Sequence, residues 1–295
     1  MNGILNLYKE KGYTSFDCVA ILRGIFREKK IGHAGTLDPD AEGVLICCLG
    51  HATKIIDHLV DTTKEYQTVM KLGITTDTQD MSGQIQTTSD VLCTEKEVID
   101  ACNAFVGEIK QLPPMYSAVH VDGHRLYELA RKGKTVRREH RTCTIEQLSI
   151  ISVDLPYVTF RVVCSKGTYI RTLCHDIGQK LQCGAAMQSL LRIRSGSFTM
   201  DHAKRLEEIR DMVEADRAQG GDGASLLMGV DDYYQAYPAY ILTEKEFHYA
   251  INGNPFRPEG AVDEGMIVRL YDPRQRFFAL YKMQSDKLVV EKMFL

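Results

Sequence analysis

The chain has 295 residues, 44% of them hydrophobic and 25% charged, with a formal charge of −3. This is ordinary globular composition, long enough to bury a core without disulfide staples, and it excludes a disordered or fibrous chain. No apolar run approaches the roughly 20 residues that span a bilayer. The opening Met1-Asn2-Gly3-Ile4 lacks the basic-then-apolar layout of a signal peptide, so a cytoplasmic protein with no membrane contact is expected.

The elements follow in chain order. Residues 3–8 form an apolar strand candidate. After a turn at Lys11-Gly12, Thr14 with Asp17 three residues on marks a helix start, and Val19, Leu22 and Phe26 give that helix one apolar face. Residues 31–43 read as a glycine-rich loop, 44–49 as a buried strand and 53–60 as a helix. Tyr66, Thr68, Met70 and Leu72 alternate with Gln67, Val69 and Lys71, which is strand period. Thr94-Glu95-Lys96-Glu97 matches a capping box, and Val98, Ala101, Cys102 and Phe105 continue an amphipathic helix to Gly107. Residues 157–164 alternate as a strand, and Thr168 is expected to cap a helix reaching about Leu181. A polar, glycine-rich break at 216–225 precedes a tail, from Tyr237, of short strands and turns.

Strands and helices mix here without regular βαβ alternation. The expected fold is α+β: a mixed, largely antiparallel sheet with flanking helices over residues 1–232, and a small β-rich domain over 237–295. The nine cysteines form no CxxC pair and lie partly within apolar runs, such as Val44 to Leu49 and Val162 to Cys164. They read as reduced thiols that pack as small hydrophobes.

Chemistry concentrates in Ile31-Gly32-His33-Ala34-Gly35-Thr36-Leu37-Asp38-Pro39-Asp40-Ala41-Glu42-Gly43. Pro39 pushes Asp38 away from helical geometry, and a carboxylate on such a rigid loop suits a nucleophile or base. Spacing alone equally allows an aspartate that bonds its own turn. A metal site from His33, Asp38 and Asp40 lacks a second histidine, so no metal is expected. Between His124 and Arg141, seven basic residues (Arg125, Arg131, Lys132, Lys134, Arg137, Arg138, Arg141) face Glu128 and Glu139. A solvated face would look the same. Following the Pro113-Pro114 break and including Gly133, the run suggests a loop closing on phosphate, at about 115–145.

Gly32 to Gly43 resembles the GHxGxLDPxAxGVL signature of the TruB family, the bacterial tRNA pseudouridine synthases that modify uridine 55 in the T-loop. The resemblance continues through Lys64-Glu65-Tyr66, Leu112 to Ala118, Gly123 to Arg131, Ser165 to Leu173 and Leu190 to Arg192, about 230 residues in the family's order. Glu10 departs from it, standing after Lys9 where the family usually has proline. The resemblance implies isomerisation of uridine 55 to pseudouridine without a cofactor, by a monomer acting on the T stem-loop of tRNA. It makes Asp38 the catalytic carboxylate, held ionised and oriented by Arg171. Tyr66 would stack on the flipped uracil and take the C5 proton, His33 would fill the space the base leaves, and Tyr169 and Leu190 would line the pocket. The basic run would be an RNA-gripping thumb, and the tail a PUA-like RNA-binding domain. Action on another RNA, or tRNA binding without catalysis, is the alternative.

Overall fold

A computed structural model describes residues 1–117, 120–121, 124–126, 129, 133 and 136–295. Strand β1 (Gly3–Lys9) leads to helix α1 (Ser15–Phe26), which starts where the sequence signals it. Asp17 N donates to Thr14 Oγ1 at 3.0 Å and Thr14 N to Asp17 Oδ2 at 2.8 Å, closing the capping box.

Residues 31–43 are not one continuous loop. Strand β2 (Ile31–Ala34) pairs with β3 (Glu42–Leu49), which leaves only 35–41 irregular. The cause lies in β3, which is buried from Gly43 to Leu49, so its backbone groups need partners on both edges. One edge is taken by β1 over its whole length, and the other is shared by β2 and β12.

A 3-10 turn (Gly50–Ile55) and α2 (Ile56–Val60) lead to β4 (Lys64–Leu72), the β5 (Ile74–Thr76) and β6 (Ile85–Thr88) hairpin, α3 (Glu95–Asn103) and β7 (Gly107–Gln111). The helix α3 stops at Asn103, short of the expected end, and Phe105 packs against the core from outside it. Two-residue strands β8 (His120–Val121) and β9 (His124–Arg125) precede β10 (Arg141–Asp154), β11 (Tyr157–Cys164), α4 (Ile170–Lys180), β12 (Ala185–Ser195), β13 (Phe198–Thr199) and α5 (Leu206–Ala218). Thr168 does not cap α4. Its hydroxyl donates to Ser165 O at 2.9 Å, and Tyr169 takes the N-cap place.

The main sheet runs β1-β3-β12-β4-β11-β10-β7, with β2 beside β3 and β13 beside β12. Among the described strands its one parallel pair is β3 with β12 and the others are antiparallel, the mixed sheet expected. Helices α3 and α4 cover one face, burying Leu173 and Ile177 against Met70, Phe160 and Val162; α1 and α5 cover β1 and β3 with Leu22, Phe26 and Val213. Each such side chain contributes roughly 1.5–3 kcal/mol. The nine cysteines are free thiols, eight of them buried.

The β3–β12 seam dictates a glycine. At Gly43, φ is +106°, and a Cβ would lie 2.2 Å from Arg192 O. Backbone cannot yield as a side-chain tip does, so Gly43→Ala should destabilise the fold by roughly 3 kcal/mol. Chemical denaturation with the m-value unchanged measures this.

The tail builds a separate four-stranded sheet of β14 (Ala239–Ile241), β15 (Ile267–Tyr271), β16 (Phe277–Gln284) and β17 (Lys287–Met293), with its own core of Leu242, Phe256, Leu270, Phe278, Tyr281 and Leu288. It is not strands alone: Thr243 and Glu246 cap a further helix, α6 (Glu244–Ala250). No helix among the described residues is long and apolar enough to cross a membrane.

Candidate active site

The loop 35–41 is held by the first residue of α1 and by the end of β1. Ser15 Oγ accepts Leu37 N at 2.9 Å and donates to Leu37 O at 3.1 Å. Lys9, fully buried, donates from Nζ to Ala41 O at 2.6 Å and to Pro39 O at 3.1 Å, and Gly12 N adds a bond to Pro39 O at 2.9 Å. A charged amine satisfied by carbonyls makes this loop a fixed mount. The Glu10 carboxylate pairs with Arg205 at 2.5 Å.

Asp38 sits on that mount facing Arg171, whose side chain is only 7% exposed. Arg171 Nε lies 3.1 Å from Asp38 Oδ2, and Nη2 donates to Asp38 Oδ1 at 3.4 Å. The rest of the guanidinium is committed too: Nη1 to Asp80 Oδ2 at 3.2 Å and Thr78 O at 3.3 Å, and Nη2 to Tyr116 O at 2.8 Å. An arginine in the first turn of α4 opposes the helix dipole, and these acidic and carbonyl partners offset that. The fork bridges both carboxylates at once, which lysine cannot imitate.

Burial raises the Asp38 carboxyl above the ordinary aspartate range. Arg171 and, more weakly, Lys9 act against this, while Asp80 and Asp40 reinforce it. The expected arginine is present, therefore, but desolvation outweighs it.

Asp80 is a site residue that the sequence did not disclose. It lies in the turn Asp77-Thr78-Gln79-Asp80, bonded to Thr78 Oγ1 at 2.7 Å and Ser82 N at 3.0 Å. The turn is stitched to β12 by Met81 N to Met187 O and Met187 N to Gln79 O, both 3.0 Å. In sequence it reads as one more polar turn; only the fold brings it to Arg171.

Tyr66 on β4 is partly buried and packs against a cluster containing Leu37, Ala41 and Leu190. Its phenol is raised by burial, with Arg192 lowering it and Asp38 near enough to raise it. His33, on β2, is held neutral by burial and by Arg192, and its Nδ1 is buried without a partner among the described residues. Tyr169 caps α4 with its backbone pinned by Gln111, whose Oε1 accepts Tyr169 N at 3.0 Å and whose Nε2 donates to Tyr169 O at 3.2 Å. Asp38, Arg171, Tyr66 and Leu190 thus converge, with His33 reached through Arg192.

The basic run is only partly described. Arg131, Lys132 and Lys134 fall outside the described residues, as does the side chain of Arg125, whose backbone ends β9. Arg137 and Arg141 are exposed, and Arg138 Nη1 donates to Pro113 O at 2.8 Å. Two cavities of about 460 and 410 Å³ lie along α1–α5 and along β1–β13, and no candidate residue lines either.

A mixed sheet that presents an arginine-clamped aspartate beside a half-buried tyrosine is the frame of a pseudouridylate synthase. The profile of the TruB family pseudouridylate synthase N-terminal domain matches residues 23–170, and that of the tRNA pseudouridylate synthase B C-terminal domain matches 171–232, so the chain belongs to the TruB family. A tRNA pseudouridine synthase B of Clostridium novyi is 42% identical over the whole of both chains, and one of Lachnoclostridium phytofermentans is 44% identical, again over both in full. Among solved structures, a chain of a Cbf5-Nop10-Gar1 complex is 27% identical, with a TM-score of 0.74 over 99% of this chain and 85% of that one. A chain of an H/ACA RNP bound to a substrate RNA containing 2'-deoxyuridine gives 26% and 0.73 over the same shares.

Proposed function

We propose that this enzyme isomerises uridine 55 in the T-loop of tRNA to pseudouridine, with Asp38 as its catalytic carboxylate. The observation that carries the reading is the Asp38–Arg171–Asp80 bridge on a clamped loop beside Tyr66. Full-length likeness to bacterial tRNA enzymes favours tRNA over an RNA bound through an RNP.

The target base must leave the helix stack, at a cost of a few kcal/mol that pocket contacts offset. In the proposed complex Tyr66 stacks on the extruded uracil, Tyr169 and Leu190 line its pocket, and His33, neutral, fills the vacated space. Asp38 acts at the ribose while the C1'–N1 bond breaks, and the bonding pair leaves with the uracil. The base turns, its C5 bonds to C1', Tyr66 takes the C5 proton, and N1 gains one. Atoms and charges balance, and no cofactor enters.

Residues 1–232 form the catalytic domain in this account, with a thumb at about 115–145 whose Arg125, Arg131, Lys132, Lys134, Arg137, Arg138 and Arg141 hold phosphates. Residues 237–295 form a PUA-like domain that adds RNA contacts. The enzyme works as a cytoplasmic monomer.

Tritium release from a T stem-loop carrying C5-labelled uridine tests the reading. Release only from the 55-equivalent uridine is expected; release from other loops at equal rate, or none, would refute it. A pH profile tests the carboxylate. Asp38 must be ionised and its pKa is raised, so activity should fall, as pH drops, at a higher pH than an ordinary aspartate would give. Removing the like charge in Asp80→Asn should move that acid limb to lower pH.

A further inference from the structure

Arg192 is fully buried and heads the fully buried side chains by volume. Its charge meets no carboxylate among the described ion pairs. Instead Nε donates to Val44 O at 2.6 Å and Nη2 to Gly35 O at 2.9 Å. Burying a guanidinium is costly without an anion, and carbonyl bonds offset that only in part.

The fold has been shaped to accommodate it. Strand β12 slips register between Arg192 and Arg194, a bulge that re-aims the side chain opposite Tyr66 on β4. Gly43 lets β3 approach the Arg192 backbone, and a Cβ on Gly35 would stand 3.4 Å from Nη1. Two glycines of the signature that carries Asp38 therefore border this one arginine.

Arg192 is the cross-strand partner of Tyr66, so the two side chains stand on the same face of the sheet, and among the described residues the Arg192 charge acts to lower the phenol. The other titratable groups facing Tyr66 are Cys164 from β11 and Asp38 from the loop. Around Arg192 itself stand His33 from β2, Cys47 from β3 and Lys64 from β4.

From this we infer that Arg192 is a positioning residue that acts through Tyr66, holding a buried cation between the phenol and the Asp38 loop when the C5 proton is removed. The inference rests on Tyr66 as the acceptor. In the step, the C5–H bond breaks and its pair restores the C5=C6 bond. The proton joins the phenolate oxygen, and the phenol later loses it to solvent. A desolvated phenolate needs a cation, and Arg192 is the group placed to supply one.

The test is single-turnover pseudouridine formation with a T-loop RNA carrying uridine or 5-deuterouridine. Arg192→Lys keeps the charge but loses the fork, and Arg192→Gln keeps a donor but loses the charge. Rates are referred to the RNA-binding fraction, so a partly unfolded preparation does not imitate the effect. Turnover should fall roughly tenfold for lysine and about a hundredfold for glutamine, the latter at the lower end of general-base contributions. The deuterium effect should rise above the parent's in the same order, with RNA affinity unchanged. In a Tyr66→Phe background, neither change should cost more. A parental deuterium effect in both variants, or losses that multiply with Tyr66→Phe, would overturn the inference. Failure of the underlying reading looks different: Tyr66→Phe or Asp38→Asn would turn over normally.

Discussion

Asp38→Asn should lower pseudouridine formation by at least about 10⁴-fold, the scale on which enzymes lose a central covalent or acid–base group. RNA affinity should change little, because the amide keeps the shape and removes a negative charge from the path of a polyanion. The fold should not suffer either. The folded state raises the Asp38 pKa, so between the ordinary aspartate value and the raised one it binds the proton more tightly than the unfolded chain does. Stability therefore falls as pH rises through that window, and the deficit persists above it. A neutral isostere escapes the deficit, and Asp38→Asn should melt no lower than the parent at pH 7. Thermal melts at pH 5 and 7 check the sign. A variant several degrees less stable would mean that the Arg171 pair outweighs desolvation.

Arg171 carries the second large expectation. Its guanidinium meets Asp38, Asp80, Thr78 O and Tyr116 O together, so it couples the catalytic loop, the 77–82 turn and the segment after Pro114. Arg171→Lys keeps a charge but cannot bridge two carboxylates. Turnover should drop about 10²–10³-fold, as when one preorganised donor is lost. Arg171→Met should cost roughly 3 kcal/mol in stability, because it strands Asp80 at low exposure with no cation. Single-turnover rates on the lysine variant and urea unfolding of the methionine variant separate the two roles.

Much of this was legible in residues. Period-2 alternation located β4 and β11, and the capping boxes at Thr14 and Thr94 placed two helix starts to the residue. Strands β10 and β12 left no such trace for a physical reason. Each carries two register shifts, at Ile145/Gln147 and Ile150/Ser152 in β10 and at Met187/Ser189 and Arg192/Arg194 in β12, and each bulge breaks the alternation that marks a strand. Strand β2 hid within a glycine-rich stretch because its pairing with β3 is set by β3's need for a second partner, not by its own composition.

The candidate site divides in the same way. Asp38 and Arg171 stand in blocks whose resemblance to a family is plain, and they meet at 3.1 Å. Asp80, Lys9 and Arg192 were not singled out, because nothing local distinguishes a turn aspartate from a clamp, or a strand cation from a surface one. Their roles arise from contacts across 91, 32 and 157 residues of chain, respectively. The chain's mild acidity also says nothing of the cations that line its catalytic loop.

The most direct measurement is position-resolved pseudouridine mapping in tRNA from cells lacking this protein, complemented with the parent chain or with Asp38→Asn at equal abundance. Pseudouridine at position 55 should vanish in the deletion, return fully with the parent and stay absent with Asp38→Asn. Its persistence in the deletion, or its return with Asp38→Asn, would contradict the account.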